Sequence, residues 1–153
     1  MNSELEELYQ EVILDHSRRP RNFGQLTDPS VRVHGDNPTC GDEIDLGIRF
    51  GADGSLQELQ FTGHGCAISQ ASASLMTAKL KNKPRAVALE IMRAFHDLVV
   101  GESAAAPSSL GDLAVMRGVQ KFPQRVKCAM LPWRALEQAL RTGAGETTVS
   151  TEG

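Results

Sequence analysis

The stretch from Glu43 to Phe50 alternates without a break, with Ile44, Leu46, Ile48 and Phe50 interleaved among Glu43, Asp45, Gly47 and Arg49. A period of two puts the apolar side chains on one face of a strand, whereas a helix would scatter them around its circumference. Gly51-Ala-Asp-Gly54 follows as a turn, and Leu56 to Thr62 returns as the hairpin partner. Val31 to His34 supplies a further strand. The pattern predicts a small antiparallel three-stranded sheet, wet on one face and needing cover on the other.

The cover is predicted to be helical. Ser3 to Asp15 opens with the capping box Ser3-x-x-Glu6 and carries Leu5, Leu8, Tyr9, Val12 and Ile13 on one face. His16 to Gly24, with Pro20, then leads away as a loop. Ala67 to Leu80 is rich in Ala and Ser, with Ile68, Ala71, Leu75 and Met76 as its buried side; small residues let such a helix lie close to the sheet. Pro84 suits the first turn of a helix that carries Val87, Leu89, Ile91, Phe95 and Leu98 and ends near Gly101. An Ala/Ser/Pro linker from Ser103 to Ser109 precedes a shorter helical stretch, Leu110 to Val119. A last helix runs from near Cys128 to Arg141 and stops at Gly143, with Trp133, Leu131, Leu136 and Leu140 as packing residues. Residues 1–142 read as one domain, and the polar, Thr-rich residues 143–153 as a disordered tail.

Composition excludes several function classes. At 153 residues the chain can bury a core without staples, and a net charge of −3 argues against a general nucleic-acid binder. Its one basic cluster, Arg18, Arg19 and Arg21, reads as a solvated loop, with a docking patch for an acidic partner as the alternative. No apolar run is long enough to span a bilayer. The opening Met-Asn-Ser-Glu-Leu-Glu-Glu is acidic and amphipathic, unlike a secretory or transit signal, so a cytoplasmic location with no membrane partner is expected.

In that compartment thiols stay reduced, and three cysteines leave one over in any pairing. Cys40, Cys66 and Cys128 are therefore inert core thiols, reactive thiols or metal ligands. Each lies where one element gives way to another, where sites are commonly built. Cys40 stands in Asn37-Pro-Thr-Cys-Gly-Asp42; if that segment is extended, Asp42 points the same way as Cys40. Cys66 follows Gly63-His-Gly between a strand and a helix. Pro132 would crowd the Cys128 carbonyl inside a regular helix, so Cys128 is expected at or just before the helix start. No C-x-x-C pair is present, so spacing leaves a shared metal site and three small buried hydrophobes both open. His64 is a further candidate, as fourth ligand or as a donor behind the ligands, against a plain loop histidine. Lys127 either steadies a thiolate or is simply exposed. His16, His34 and His96 read as structural or surface residues.

Asn37-Pro-Thr-Cys-Gly-Asp42, Gly63-His-Gly-Cys-Ala-Ile-Ser69 and Arg125-Val-Lys-Cys128 resemble, in order, the cysteine motifs of the NifU/IscU-type iron–sulfur assembly proteins. Leu8-Tyr-Gln-Glu-Val-Ile-Leu-Asp-His16 and Pro20-Arg-Asn-Phe-Gly24 are similar too, so the resemblance runs from about residue 5 to residue 141. Lys127, where the IscU branch has histidine, and the longer stretch between the second and third cysteines point to the SufU branch. The resemblance implies an α+β fold and a zinc ion held by Cys40, Asp42, Cys66 and Cys128. It also implies a zinc-dependent sulfurtransferase whose Cys40 takes sulfur from a cysteine desulfurase of SufS type, for delivery to downstream iron–sulfur assembly proteins. The alternative it carries is a scaffold on which an iron–sulfur cluster is built. A purely structural zinc module is disfavoured, because a chain of this length does not need zinc to fold.

Overall fold

The computed structural model describes residues 11–101 and 108–151. Its elements are α1 (Glu11–Arg18), β1 (Val31–Asn37), β2 (Asp42–Phe50), β3 (Leu56–His64), α2 (Ala67–Leu80), α3 (Arg85–Val100), a kinked 3₁₀ segment (Ser108–Lys121), α4 (Pro123–Thr142) and β4 (Gly145–Ser150). The capping box at Ser3 and Glu6, the apolar positions Leu5, Leu8 and Tyr9, and most of the Ser103–Ser109 linker lie outside the described residues.

The fold is α+β, as expected, but the sheet has four strands in the order β3-β2-β1-β4. β1, β2 and β3 pair antiparallel, with Ile44, Leu46 and Ile48 buried and Glu43 and Asp45 on the wetter face. The fourth strand corrects the three-stranded expectation and the disordered tail together. Gly145–Ser150 pairs parallel with β1, from Val31↔Gly145 to Asp36↔Ser150. Parallel pairing needs a long crossover, which α4 supplies by packing across β1 and β2. Gly143, at φ 78, ends that helix in the left-handed region and turns the chain back beside β1. Val149 then packs against the core, and the threonines around it suit a half-buried strand.

α2 packs against β3, α4 and α1. Ile68, Ala71, Leu75 and Met76 are buried, and so are Ser72, Ala73 and Ser74, so the helix is enclosed on nearly every side. Its serines bind across elements: Ser72 Oγ donates to the Ala129 carbonyl at 2.6 Å and accepts from Trp133 Nε1 at 3.1 Å. Trp133 stacks on Phe95 with ring centroids 4.5 Å apart, which fixes α4 against α3. His16 is buried with Nδ1 2.7 Å from Ser74 Oγ, a structural role. The helix α1 runs on through Arg18, past the expected loop start at His16, while Arg19 and Arg21 follow it and pair with Asp15 at the surface.

A second correction concerns α4. The helix begins at Pro123, so Cys128 and Pro132 both lie inside it. Pro132 removes one helical hydrogen bond, a local cost of about 3 kcal/mol. The local rule loses because Cys128 to Trp133 form a continuous buried face against the sheet and α2, and that packing outweighs the missing bond. Cys128 therefore gains nothing from free N–H groups at a helix start.

Candidate metal centre

Four elements deliver the candidate side chains to one end of the sheet. Pro38 to Gly41 form the turn joining β1 to β2, closed by Cys40 N–H donating to the Asn37 carbonyl at 3.2 Å. Gly41, at φ +71, takes the left-handed residue of that turn. Cys40 is thus on a hairpin turn, so the condition of an extended segment is not met there. It is half-buried, while Asp42, the first residue of β2, is fully buried. Cys66 is the residue that caps α2, with extended dihedrals of φ −73 and ψ 161. Cys128 reaches the same end from α4 and is fully buried.

A sulfur of Cys40, a carboxylate oxygen of Asp42 and the sulfur of Cys128 lie within 4.8 Å of one another. Cys66 joins through Asp42. Its N–H donates to Asp42 Oδ1 at 2.8 Å, and its Sγ lies 3.7 Å from Asp42 Oδ2. Gly65, between His64 and Cys66, makes this contact possible: at φ +143 it holds a conformation other residues rarely adopt, and a β-carbon there would overlap Asp42 Oδ1.

The electrostatics of the pair formed by Cys66 and Cys128 are one-sided. The Cys128 thiol donates toward Cys66, which lowers the Cys66 pKa to about 6. The same contact, with burial and the neighbouring Asp42 carboxylate, raises that of Cys128. Three sulfurs and a carboxylate, fully ionised, would place several negative charges in a largely dry space. A cation at their centre would offset that, and mixed S and O donors suit a metal of borderline softness.

His64 stands apart. It is 72% exposed, and its Nε2 is 2.8 Å from Glu43 Oε2, on the rim rather than in the cluster. Lys127 is exposed on α4 beside Cys128. Asn37 escaped the sequence reading as a functional residue: it is fully buried, and its Nδ2 donates to Cys128 Sγ at 3.7 Å. Its place at the head of the first cysteine motif was the only available signal.

Residues 8–129 match the family model described as the NifU-like N terminal domain. The chain belongs to that family. This NifU-like chain is 43% identical over 144 residues to the zinc-dependent sulfurtransferase SufU of Bacillus subtilis, covering 94% of this chain and 97% of the relative. It is 42% identical over 142 residues to the iron-sulfur cluster assembly scaffold protein IscU of Streptococcus pyogenes, covering 93% and 88%. A crystal structure from Fervidobacterium islandicum, described as an iron-sulfur cluster assembly scaffold protein for the SUF system, superposes with a TM-score of 0.82 at 35% identity, covering 91% of this chain and 99% of that one. Among the described residues, no helix is long and apolar enough to cross a membrane.

Proposed function

We propose that this chain is a zinc-dependent sulfurtransferase that accepts persulfide sulfur from a cysteine desulfurase for iron–sulfur cluster assembly. One observation carries the reading: Cys40, Asp42 and Cys128 converge within 4.8 Å, with Cys66 bonded to the same carboxylate. Cys40, Asp42, Cys66 and Cys128 would hold the ion, a closed set of three sulfurs and one oxygen that fits tetrahedral zinc. Bound zinc would keep the thiols deprotonated without activating water. The strong likeness to a relative named as a zinc-dependent sulfurtransferase supports the same choice.

The chain's own residues divide the work by their mountings. Cys128 is locked in a buried helix, and Cys66 caps another whose N–H is tied to Asp42. Cys40 sits half-buried on a hairpin turn, so it is the ligand a partner can reach and release. The Cys40 thiolate attacks the outer sulfur of the desulfurase persulfide. A new S–S bond forms at Cys40, the old one breaks, and the desulfurase cysteine leaves as a thiolate. A SufS-type desulfurase, downstream assembly proteins and a cytoplasmic setting belong to this reading.

A scaffold that holds an iron–sulfur cluster would use the same donors, and a relative at 42% identity carries that name. The test is elemental analysis of protein purified without added metal, followed by reaction with a cysteine desulfurase and cysteine. About one zinc per chain, a persulfide on Cys40 by mass spectrometry, and loss of transfer in Cys40→Ser at matched zinc content are expected. Stoichiometric iron and acid-labile sulfide would favour the scaffold. A persulfide on Cys128, still transferred by Cys40→Ser, would remove Cys40 from its role.

A further inference from the structure

A single buried amide joins the C-terminal strand to a sulfur of the metal centre. Asn37 closes β1 and is fully buried. Its Nδ2 donates to Cys128 Sγ at 3.7 Å, and its Oδ1 accepts from Thr151 Oγ1 at 3.1 Å. Thr151 is itself set in place by the strand, since its N–H donates to the Asp36 carbonyl at 3.0 Å, one step beyond the Asp36↔Ser150 pair.

The two ends of the amide together set the direction of the chain of bonds. An amide oxygen has no proton, so the Thr151 hydroxyl must donate to it. With Oδ1 held toward β4, the –NH₂ of Asn37 can only face the sulfur. The Thr151 hydroxyl could also accept from a turned-over amide, so it is the sulfur end that excludes that orientation: there the amide oxygen would face and repel a thiolate. Cys66, Asp42 and Cys40 also lie beside Cys128 Sγ, but on this reading they are fellow ligands; among the described residues the Gln124 carbonyl, at 3.5 Å, can bind a thiol proton but offers nothing to a metal-bound sulfur. Asn37 is thus the group that can support the sulfur once it is a ligand. Partners of this kind behind a ligand orient it and hold it on the metal.

We propose that Asn37 is the positioning residue for Cys128, and that Thr151, donating to Oδ1, holds the amide in place for it. The last strand is then a clamp on the metal centre as well as a sheet edge. The inference rests on the reading of Cys128 as a zinc ligand.

The decisive comparison is Thr151→Val, which keeps the shape and loses the hydroxyl, against Thr151→Ser, which keeps the hydroxyl. Zinc-loaded Thr151→Val should release its metal to a chromophoric chelator roughly tenfold faster than wild type, the effect typical of losing such a partner. Thr151→Ser should stay close to wild type. In cobalt-substituted protein the sulfur-to-metal charge-transfer band should move in Thr151→Val and not in Thr151→Ser. Thr147→Val serves as the strand control, because Thr147 bonds Gln138 and not Asn37. Equal release from Thr151→Val and wild type would overturn the proposal. So would equal acceleration by Thr147→Val, which would trace the effect to strand docking in general.

A separate arm keeps this failure distinct from failure of the zinc reading. In chelator-treated, ¹⁵N-labelled protein, the Asn37 side-chain amide protons should resist exchange in wild type and Thr151→Ser and lose that protection in Thr151→Val. No difference would show that the bridge does not hold the amide. A wild type that binds no zinc, with the amide still protected, would sink the metal-centre reading and this inference with it, while leaving the bridge intact.

Discussion

The N–H of Cys66 donates a 2.8 Å hydrogen bond to Asp42 Oδ1, tying the start of α2 to the start of β2 across 24 residues of chain. One carboxylate thus serves two ends. Oδ1 holds the backbone of one cysteine, and Oδ2 lies 3.7 Å from the sulfur of the same residue. Asp42 is a structural tie and a candidate ligand at once, which makes its removal informative.

Asp42→Ala should weaken zinc binding on the order of tenfold or more and lower the melting temperature even without metal. Leaving the Cys66 N–H unpaired costs about 1–3 kcal/mol, and loss of a ligand removes binding energy that also stabilises the folded state. Competition with a chelator and thermal melts with and without zinc separate the two effects. Unchanged zinc affinity in Asp42→Ala would exclude the carboxylate from the ligand set.

Gly65→Ala should damage the same tie from the other side. The added β-carbon would overlap Asp42 Oδ1, at a φ of +143 that other residues rarely adopt. The expected loss is roughly 1–3 kcal/mol of stability, with weaker zinc binding because Asp42 must move. Gly54→Ala is the control, since its φ is +83 but nothing lies within 4 Å of the new atom. Equal effects from the two variants would show that backbone strain alone, and not contact with Asp42, is responsible.

His16 should make the fold acid-sensitive. Burial lowers its pKa below the ordinary 6.5, so the unfolded chain takes up the proton first as the pH falls. Where the unfolded state binds more protons, stability rises with pH. The His16 contribution is therefore complete above 6.5 and is lost as the pH drops from there toward the folded-state value. His34 acts with the opposite sign, because hydrogen bonding to Asp45 raises its pKa. Denaturant unfolding of chelator-treated protein between about pH 7.5 and 5.5 should show a smaller loss in His16→Gln than in wild type. Equal losses would mean that burial of His16 carries no proton linkage.

Much of the fold was legible because its signals are local. The alternation from Ile44 to Phe50 and the Gly51–Gly54 turn describe a hairpin whatever surrounds them. The helix over Ala67–Leu80 was read with the bounds it has in the structure, and Gly101 and Gly143 end their helices in the left-handed region. Cys40, Asp42, Cys66 and Cys128 were all named from their surroundings in the chain. His64 was a weaker candidate, and the structure places it on Glu43 at the rim.

What the sequence determined by itself was which residues could make strands, turns and helices, and which side chains had chemistry to offer; these follow from periodicity and backbone preferences spanning a few residues. Tertiary structure decided the rest. Gly145–Ser150 has no strong strand pattern of its own, and it becomes β4 only because α4 returns it to the open edge of β1, where pairing satisfies its backbone. Pro132 signals a helix break, yet the buried face from Cys128 to Trp133 overrides it. The bridge from Thr151 through Asn37 to Cys128 spans 114 residues in one step and 91 in the other. Such contacts are set by how the sheet and helices pack, and no local pattern of residues records them.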